Sequence, residues 1–217
     1  MDQPLRRSER RRERAQDRFG LLLLLLVGSF VVLGFAEHTW ALVLAAALQF
    51  AALALGFLAT SLRQDHPWLG LFALIALVAM VLIAVDGETA NGLGAIGGVV
   101  VLGALLVAVL DRVLRHKRVT MQTLFGALCA YFLIGLMFSA VYAALNDFGD
   151  APVFAEPVNE SVFSYFSFTT LTTVGFGDFT AATDLARRIA MIEAVTGQVF
   201  IATTLARLVS LYRAAER

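Results

Sequence analysis

The stretch of sequence that decides the fold is TTLTTVGFGD, residues 169–178. It closes an uncharged run, residues 161–177, that is rich in Ser, Thr and Phe and has two glycines at its end. A helix that spans a bilayer needs about 20 predominantly apolar residues, so this run is too short and too polar to cross comfortably. Irregular backbone is tolerated at membrane depth only where protein or water covers it. If the rest of the chain lies in a membrane, the run predicts a re-entrant segment.

The composition does place the rest of the chain in a membrane. Hydrophobic residues make up 59% of the 217 residues and charged residues only 16%, whereas a soluble domain is about 45–50% apolar and about 25% charged. The formal net charge is zero, so bulk charge does not indicate nucleic-acid binding. The single cysteine, Cys129, excludes an intramolecular disulfide and a Cys-based zinc cluster.

Six further runs are apolar enough to cross a bilayer, and the last of them has Glu193 as its only charge. Backbone groups inside lipid must be paired within the segment, so runs of this length predict helices. The sequence therefore predicts an all-α integral membrane protein with six transmembrane helices and one re-entrant segment. The six runs are residues 19–36, 39–62, 67–85, 89–110, 119–146 and 189–206.

The basic residues predict the orientation of these helices, because Lys and Arg favour cytoplasmic loops. Seven arginines precede the first run, one follows the second, four basic residues follow the fourth and three follow the last. Only Arg187 and Arg188 fall on the other side. We therefore expect both termini in the cytoplasm of a plasma-membrane protein, with residues 161–177 entering from outside. The basic N-terminus could bind anionic lipids or could simply fix the topology, and we favour the second.

Residues 173–177, TVGFG, have the pattern that a dehydrated cation in mid-membrane requires. Burying an unpaired charge costs tens of kcal/mol by Born arguments, so other oxygens must replace its water shell. Backbone carbonyls can do so if alternate residues take up positive φ, which glycine adopts cheaply. The motif resembles the potassium-channel selectivity filter, TVGYG, with Phe176 in place of Tyr. An ordinary turn is the plain alternative, but the Thr-rich run before the motif and its place between the last two helices favour a filter.

The resemblance covers residues 119–212, which look like the pore module of the two-helix ion-channel superfamily. It implies a short pore helix and, because one chain supplies only one filter strand, a closed homotetramer. Tyr165 and Phe166 would form an aromatic cuff around the filter, with core packing as an equal alternative. The predicted K⁺ ligands are Thr173, Val174, Gly175 and Phe176, with Gly177 completing the ion-coordinating segment. The predicted supports of the filter are Tyr165, Phe166, Thr169, Asp178 and Glu193.

The last helix carries the predicted gate. By the resemblance, Gly197 is a gating hinge, and close helix packing through a small residue is an even alternative. Four-residue spacing from Gly197 puts Ile201, Leu205 and Val209 on one face, which we expect to line the cavity and the inner constriction. Glu193 is a functional candidate because an ionisable residue within a span is costly. It could brace the pore helix through a hydrogen bond to a threonine, or lie protonated near the outer interface.

The first four helices lack the features of a voltage sensor. Arg112, Arg115 and Arg118 keep third-residue spacing but lie past the uncharged run, so we interpret them as a cytoplasmic collar. The expected organisation is a basic N-terminus, a four-helix unit, a linker, a pore domain and a short tail. These domains correspond to residues 1–18, 19–110, 111–118, 119–213 and 214–217.

The sequence thus predicts a potassium-selective channel that conducts passively. It predicts no enzyme activity, no cofactor apart from K⁺ as the permeant ion, and no nucleic-acid partner. Two alternatives stay open: a nonselective cation channel, and, less favoured, a secondary transporter or accessory membrane subunit. Transporters usually carry paired broken segments, and this sequence has only one such segment.

Overall fold

The computed structural model describes residues 19–35, 39–59, 88–115 and 121–215. Within these ranges the chain forms six α-helices. They are α1 (Phe19–Leu33), α2 (Thr39–Ala59), α3 (Glu88–Arg115), α4 (Met121–Phe148), α5 (Glu160–Leu171) and α6 (Asp184–Ala215). The predicted basic N-terminus and the predicted third crossing, residues 67–85, lie outside the described residues.

Three helices of the described segments are long and apolar enough to cross a membrane: Gly92–Arg115, Met121–Phe148 and Asp184–Ser210. The shorter apolar helices are Phe19–Leu33 and Val43–Leu55. Helix α3 continues five residues past its uncharged run, so residues 111–115 of the predicted linker are helical. There, Arg115 Nε donates to the Asp111 carboxylate at 2.8 Å, one turn earlier on the same helix.

Helix α4 is at the centre of the packing because it is buried on two faces. One face, with Cys129 and Leu133, packs against apolar side chains of α1, α2 and α3. The other face, with Ile134, Phe138 and Tyr142, packs against α5, the start of α6 and the loops between them. Helix α5 is therefore held against a helix that also contacts the N-terminal helices.

The loops on either side of α5 are pinned to each other. Phe154 and Ala181 form an isolated antiparallel bridge, and the Ala182 N–H donates to the Val153 carbonyl at 2.8 Å. Helix α6 then starts at Asp184, where the Thr183 hydroxyl accepts the Ala186 N–H at 3.2 Å. This cap satisfies one of the free donors of the first turn. The short helix and the segment after it thus form a closed insertion between α4 and α6.

Candidate functional site: the segment after α5

The segment after α5 has an alternating backbone. Thr173 has a φ of +57°, Gly175 of +50° and Gly177 of +79°, while Val174 and Phe176 between them have negative φ. Such alternation turns successive peptide groups so that their oxygens can share one side of the chain. The glycines are where the sequence predicted positive φ. The positive φ of Thr173 was not predicted, because a β-branched residue was expected to keep a negative φ.

The start of this segment is bonded to the last turns of α5. The Thr169 carbonyl accepts the N–H groups of Val174, at 2.9 Å, and Gly175, at 3.2 Å. The Thr170 carbonyl accepts the Thr173 N–H at 2.9 Å. Thr169, a predicted filter support, therefore acts here through its backbone oxygen. Its hydroxyl donates instead to the Phe166 carbonyl at 3.0 Å.

Tyr165 and Asp178 join the beginning and the end of the insertion. The Tyr165 hydroxyl donates to Asp178 Oδ2 at 2.7 Å, and Asp178 Oδ1 accepts the Phe179 N–H at 3.1 Å. The ring of Tyr165 is nearly parallel to that of Phe176, with centroids 6.4 Å apart and an interplanar angle of 7°. Tyr165 thus contacts the predicted filter, as the cuff interpretation expects.

Phe166 points the other way, into the core. Its ring lies edge-on to those of Tyr142, at 5.0 Å, and Phe154, at 5.1 Å. It is buried in the cluster between α4 and α5. The structure therefore gives the two neighbouring aromatics different places: Tyr165 lies against the filter segment and Phe166 packs in the core.

Glu193 is fully buried and connects three helices. Its carboxyl group lies 2.5 Å from the Ser167 hydroxyl of α5 and 2.7 Å from the Tyr142 hydroxyl of α4. Ser167 Oγ is also 2.7 Å from the Gly135 carbonyl of α4. The expected threonine partner is wrong: the hydroxyls come from a serine and a tyrosine, because these are the side chains that α4 and α5 turn toward α6. Glu193 thus contacts α5 from α6, and its role as a support of the filter stays a prediction.

Gly197 lies where α6 passes closest to the end of α5. A Cβ added at this position would overlap the carbonyl oxygen of Leu171 and approach its side chain. That carbonyl also accepts a 3.3 Å hydrogen bond from the Tyr131 hydroxyl of α4. The geometry supports the packing interpretation of Gly197 directly, and leaves the hinge interpretation as a prediction.

Four side chains that make hydrogen bonds at the site were not singled out from the sequence. Ser167, Tyr142 and Tyr131 have been described above. The fourth is Gln198, whose Nε2 donates to the Thr173 hydroxyl at 3.1 Å. The available signal for Gln198 was an amide inside an apolar run directly after Gly197. Spacing could not pair Gln198 with its partner, since 25 residues separate it from Thr173.

The predicted cavity face of α6 is open in the single chain. Ile201, Leu205 and Val209 are all exposed, with Leu205 at 60%. Val174 and Phe176 of the filter segment are exposed too, Phe176 at 71%. Among the described residues, no group of three His, Cys, Asp or Glu side chains could hold a metal ion.

Residues 131–214 match a family model described as "Ion channel". The match runs from the middle of α4 to the end of α6 and so contains the whole insertion. It confirms the predicted resemblance to ion channels for this part of the chain. None of the curated proteins compared with the chain matches it.

Proposed function

We propose that the chain is a potassium-selective channel whose filter is residues 173–177. The observation that carries the proposal is the positive φ of Thr173, Gly175 and Gly177, every second residue of TVGFG. In this backbone the carbonyls of successive residues replace the hydration shell of K⁺, and the Thr173 hydroxyl adds one more oxygen. K⁺ is held at Thr173, Val174, Gly175 and Phe176. Phe176 supplies its carbonyl as a tyrosine would, so the ligand set is preserved.

The proposal requires four copies of the chain. One filter strand cannot surround an ion, and a closed symmetric tetramer brings four strands to one axis. The exposure of Val174, Phe176 and Leu205 in the single chain is the expected property of side chains that neighbouring copies or the central cavity would adjoin in such a tetramer. Helix α5 ends at Leu171, directly before the filter. About half an elementary negative charge resides at a helix C-terminus, so four such ends stabilise a hydrated cation beneath the filter.

The remaining assignments follow from the same arrangement. The chain crosses the plasma membrane six times with both termini in the cytoplasm, and the α5 insertion enters from outside. Ile201, Leu205 and Val209 form the inner constriction, with Gly197 as its pivot. The four N-terminal helices are not a voltage sensor. Arg115 at the end of α3 is engaged with Asp111 of its own helix, which suits an interfacial collar.

Ion uptake into liposomes tests the proposal. Vesicles loaded with K⁺ and containing the full-length protein should take up radioactive rubidium far faster than radioactive sodium. Equal uptake would show a nonselective cation channel, and uptake of neither ion would rule out a channel.

A matched pair of glycine variants tests whether the preference for rubidium over sodium depends on residues 173–177. A Cβ at Gly177 would meet nothing within 4 Å, so Gly177→Ala acts on the positive φ alone, at a cost of about 1–2 kcal/mol per chain. It should abolish the preference for rubidium. Gly103→Ala in α3 also meets only ordinary contacts, at 3.7 Å, and has no positive φ, so it should leave uptake unchanged.

A further inference from the structure

Thr173 adopts a conformation that its own side chain disfavours. Its φ is +57°, and within the described segments no other residue besides glycine has a positive φ. A β-branched residue in this region is a genuine outlier. Such conformations persist only where the surrounding structure over-determines them. The contacts of Thr173 therefore decide the geometry of the cytoplasmic end of the filter.

Three hydrogen bonds hold Thr173. Its N–H donates to the Thr170 carbonyl at 2.9 Å, and its hydroxyl donates to the Thr172 carbonyl at 2.7 Å. Both partners lie within three residues, so they move together with Thr173. The third bond comes from another element, because Gln198 of α6 donates its Nε2 to the same hydroxyl at 3.1 Å. Gln198 thus ties the end of the filter to the inner helix.

The single proton of the Thr173 hydroxyl determines whether Gln198 donates or accepts in their hydrogen bond. A threonine hydroxyl has one proton and two lone pairs. The proton is used on the Thr172 carbonyl, so the amide must present an N–H and not its oxygen. One lone pair accepts that N–H and the other is left for a cation. Without the amide, the hydroxyl can rotate about its Cα–Cβ bond and take its oxygen away from the ion path.

We propose that Gln198 is a positioning residue for ion selectivity, which holds the Thr173 hydroxyl in the orientation that the innermost K⁺ site needs. It acts through Thr173 and not by contact with the ion. The inference rests on the proposed function, since it assigns the selectivity of the filter partly to a side chain outside it.

Two substitutions test this in full-length protein reconstituted into liposomes. Gln198→Met keeps the length of the side chain but cannot hydrogen-bond, and Gln198→Asn keeps the amide one methylene too short to reach. Assembly of both variants is checked first by size-exclusion chromatography, since residue 198 is exposed in the single chain and its contacts in a tetramer are a separate matter. Both should lower the ratio of rubidium to sodium uptake about tenfold, the effect of about one hydrogen bond. Thr196→Val is the matched control, because its hydroxyl bonds to Ile192 of its own helix.

Each outcome decides the inference. A tenfold loss in both Gln198 variants, with Thr196→Val unchanged, supports it. An unchanged ratio in Gln198→Met overturns it, and so does a normal ratio in Gln198→Asn, which would mean that any amide near the cavity suffices. Loss of the assembled protein in both variants would assign Gln198 a structural role instead. A wild-type protein that does not prefer rubidium would refute the proposed function, which is a separate result.

Discussion

The carboxyl group of Glu193 in α6 lies 2.7 Å from the hydroxyl of Tyr142 in α4, and both side chains are completely inaccessible to solvent. Ser167 of α5 completes the group at 2.5 Å from the same carboxyl. Buried polar groups are costly when they lose their partners, so these three side chains fix the relative position of α4, α5 and α6.

Replacing Glu193 should therefore destabilise the protein, by an amount that depends on how many of its hydrogen bonds the new side chain can keep. Glu193→Leu leaves the buried Tyr142 hydroxyl without its partner and should cost about 1–3 kcal/mol, whereas the Ser167 hydroxyl keeps the Gly135 carbonyl as an acceptor. Glu193→Gln should cost less, because its amide nitrogen can donate to Ser167 while its oxygen accepts from Tyr142. The measurement is the temperature at which the detergent-solubilised protein loses its assembled peak in size-exclusion chromatography. Glu156→Gln, at an exposed position, is the control, and a Glu193→Leu protein of wild-type stability would contradict the prediction.

Gly197→Ala should impair the channel even though alanine favours a helix by about 1 kcal/mol. The new methyl group would overlap the backbone oxygen of Leu171, which cannot move without shifting the end of α5. We expect loss of rubidium uptake together with a lower melting temperature. Gly98→Ala provides the comparison, because its Cβ would meet Ala140 at an ordinary 3.7 Å. A variant of normal stability with altered opening alone would instead favour the hinge.

The bond between Tyr165 and Asp178 should keep the filter conductive during sustained activity. Tyr165→Phe removes only this bond, whereas Asp178→Ala also removes the acceptor of the Phe179 N–H. Both should speed the decay of current during a maintained voltage step several-fold, with Asp178→Ala the faster. The double variant should decay like Asp178→Ala alone, because the two residues share one interaction. If the decay rate of the double variant instead rises by the product of the two single effects, Tyr165 and Asp178 act separately.

Stability should fall as the pH rises toward neutrality because of Glu160, the first residue of α5. Burial, followed by the negative charge of Asp147, raises the pKa of the Glu160 carboxyl from 4.5 to about 7. Between these values the folded chain retains a proton that the unfolded chain has lost, so protonation stabilises the fold at the acidic end. The melting temperature of the wild type should drop from about pH 5 to about pH 8 more than that of Glu160→Gln. Equal slopes would show that Glu160 titrates normally.

A charge at the proposed inner constriction should prevent closure. Leu205 is 60% exposed in the single chain, and four aspartates at this position would repel one another and attract water into the constriction. Leu205→Asp should therefore raise the open probability measured in planar bilayers while leaving the preference for rubidium intact. Unchanged opening and closing would show that Leu205 does not face the pore.

Much of the pore region could be predicted because its signals are local. The uncharged run at residues 119–146 corresponds to α4, Met121–Phe148, and the short run at residues 161–177 covers all of α5 except its first residue, Glu160. The glycines of TVGFG indicated positive φ because only glycine adopts it without steric cost, and Gly175 and Gly177 do adopt it. The length of α3 was underestimated, because a charged helix end beyond the apolar run gives no hydropathy signal.

What the sequence by itself determined is a set of apolar helices and a region that resembles ion channels, since span length, charge placement and glycine positions each act over a few neighbouring residues. Only the tertiary structure decided which side chains meet. Glu193 pairs with Ser167 and Tyr142, 26 and 51 residues away, and Gln198 reaches Thr173 across 25. The positive φ of Thr173 depends on both levels, because the bond from Gln198 of α6 adds to local bonds to Thr170 and Thr172.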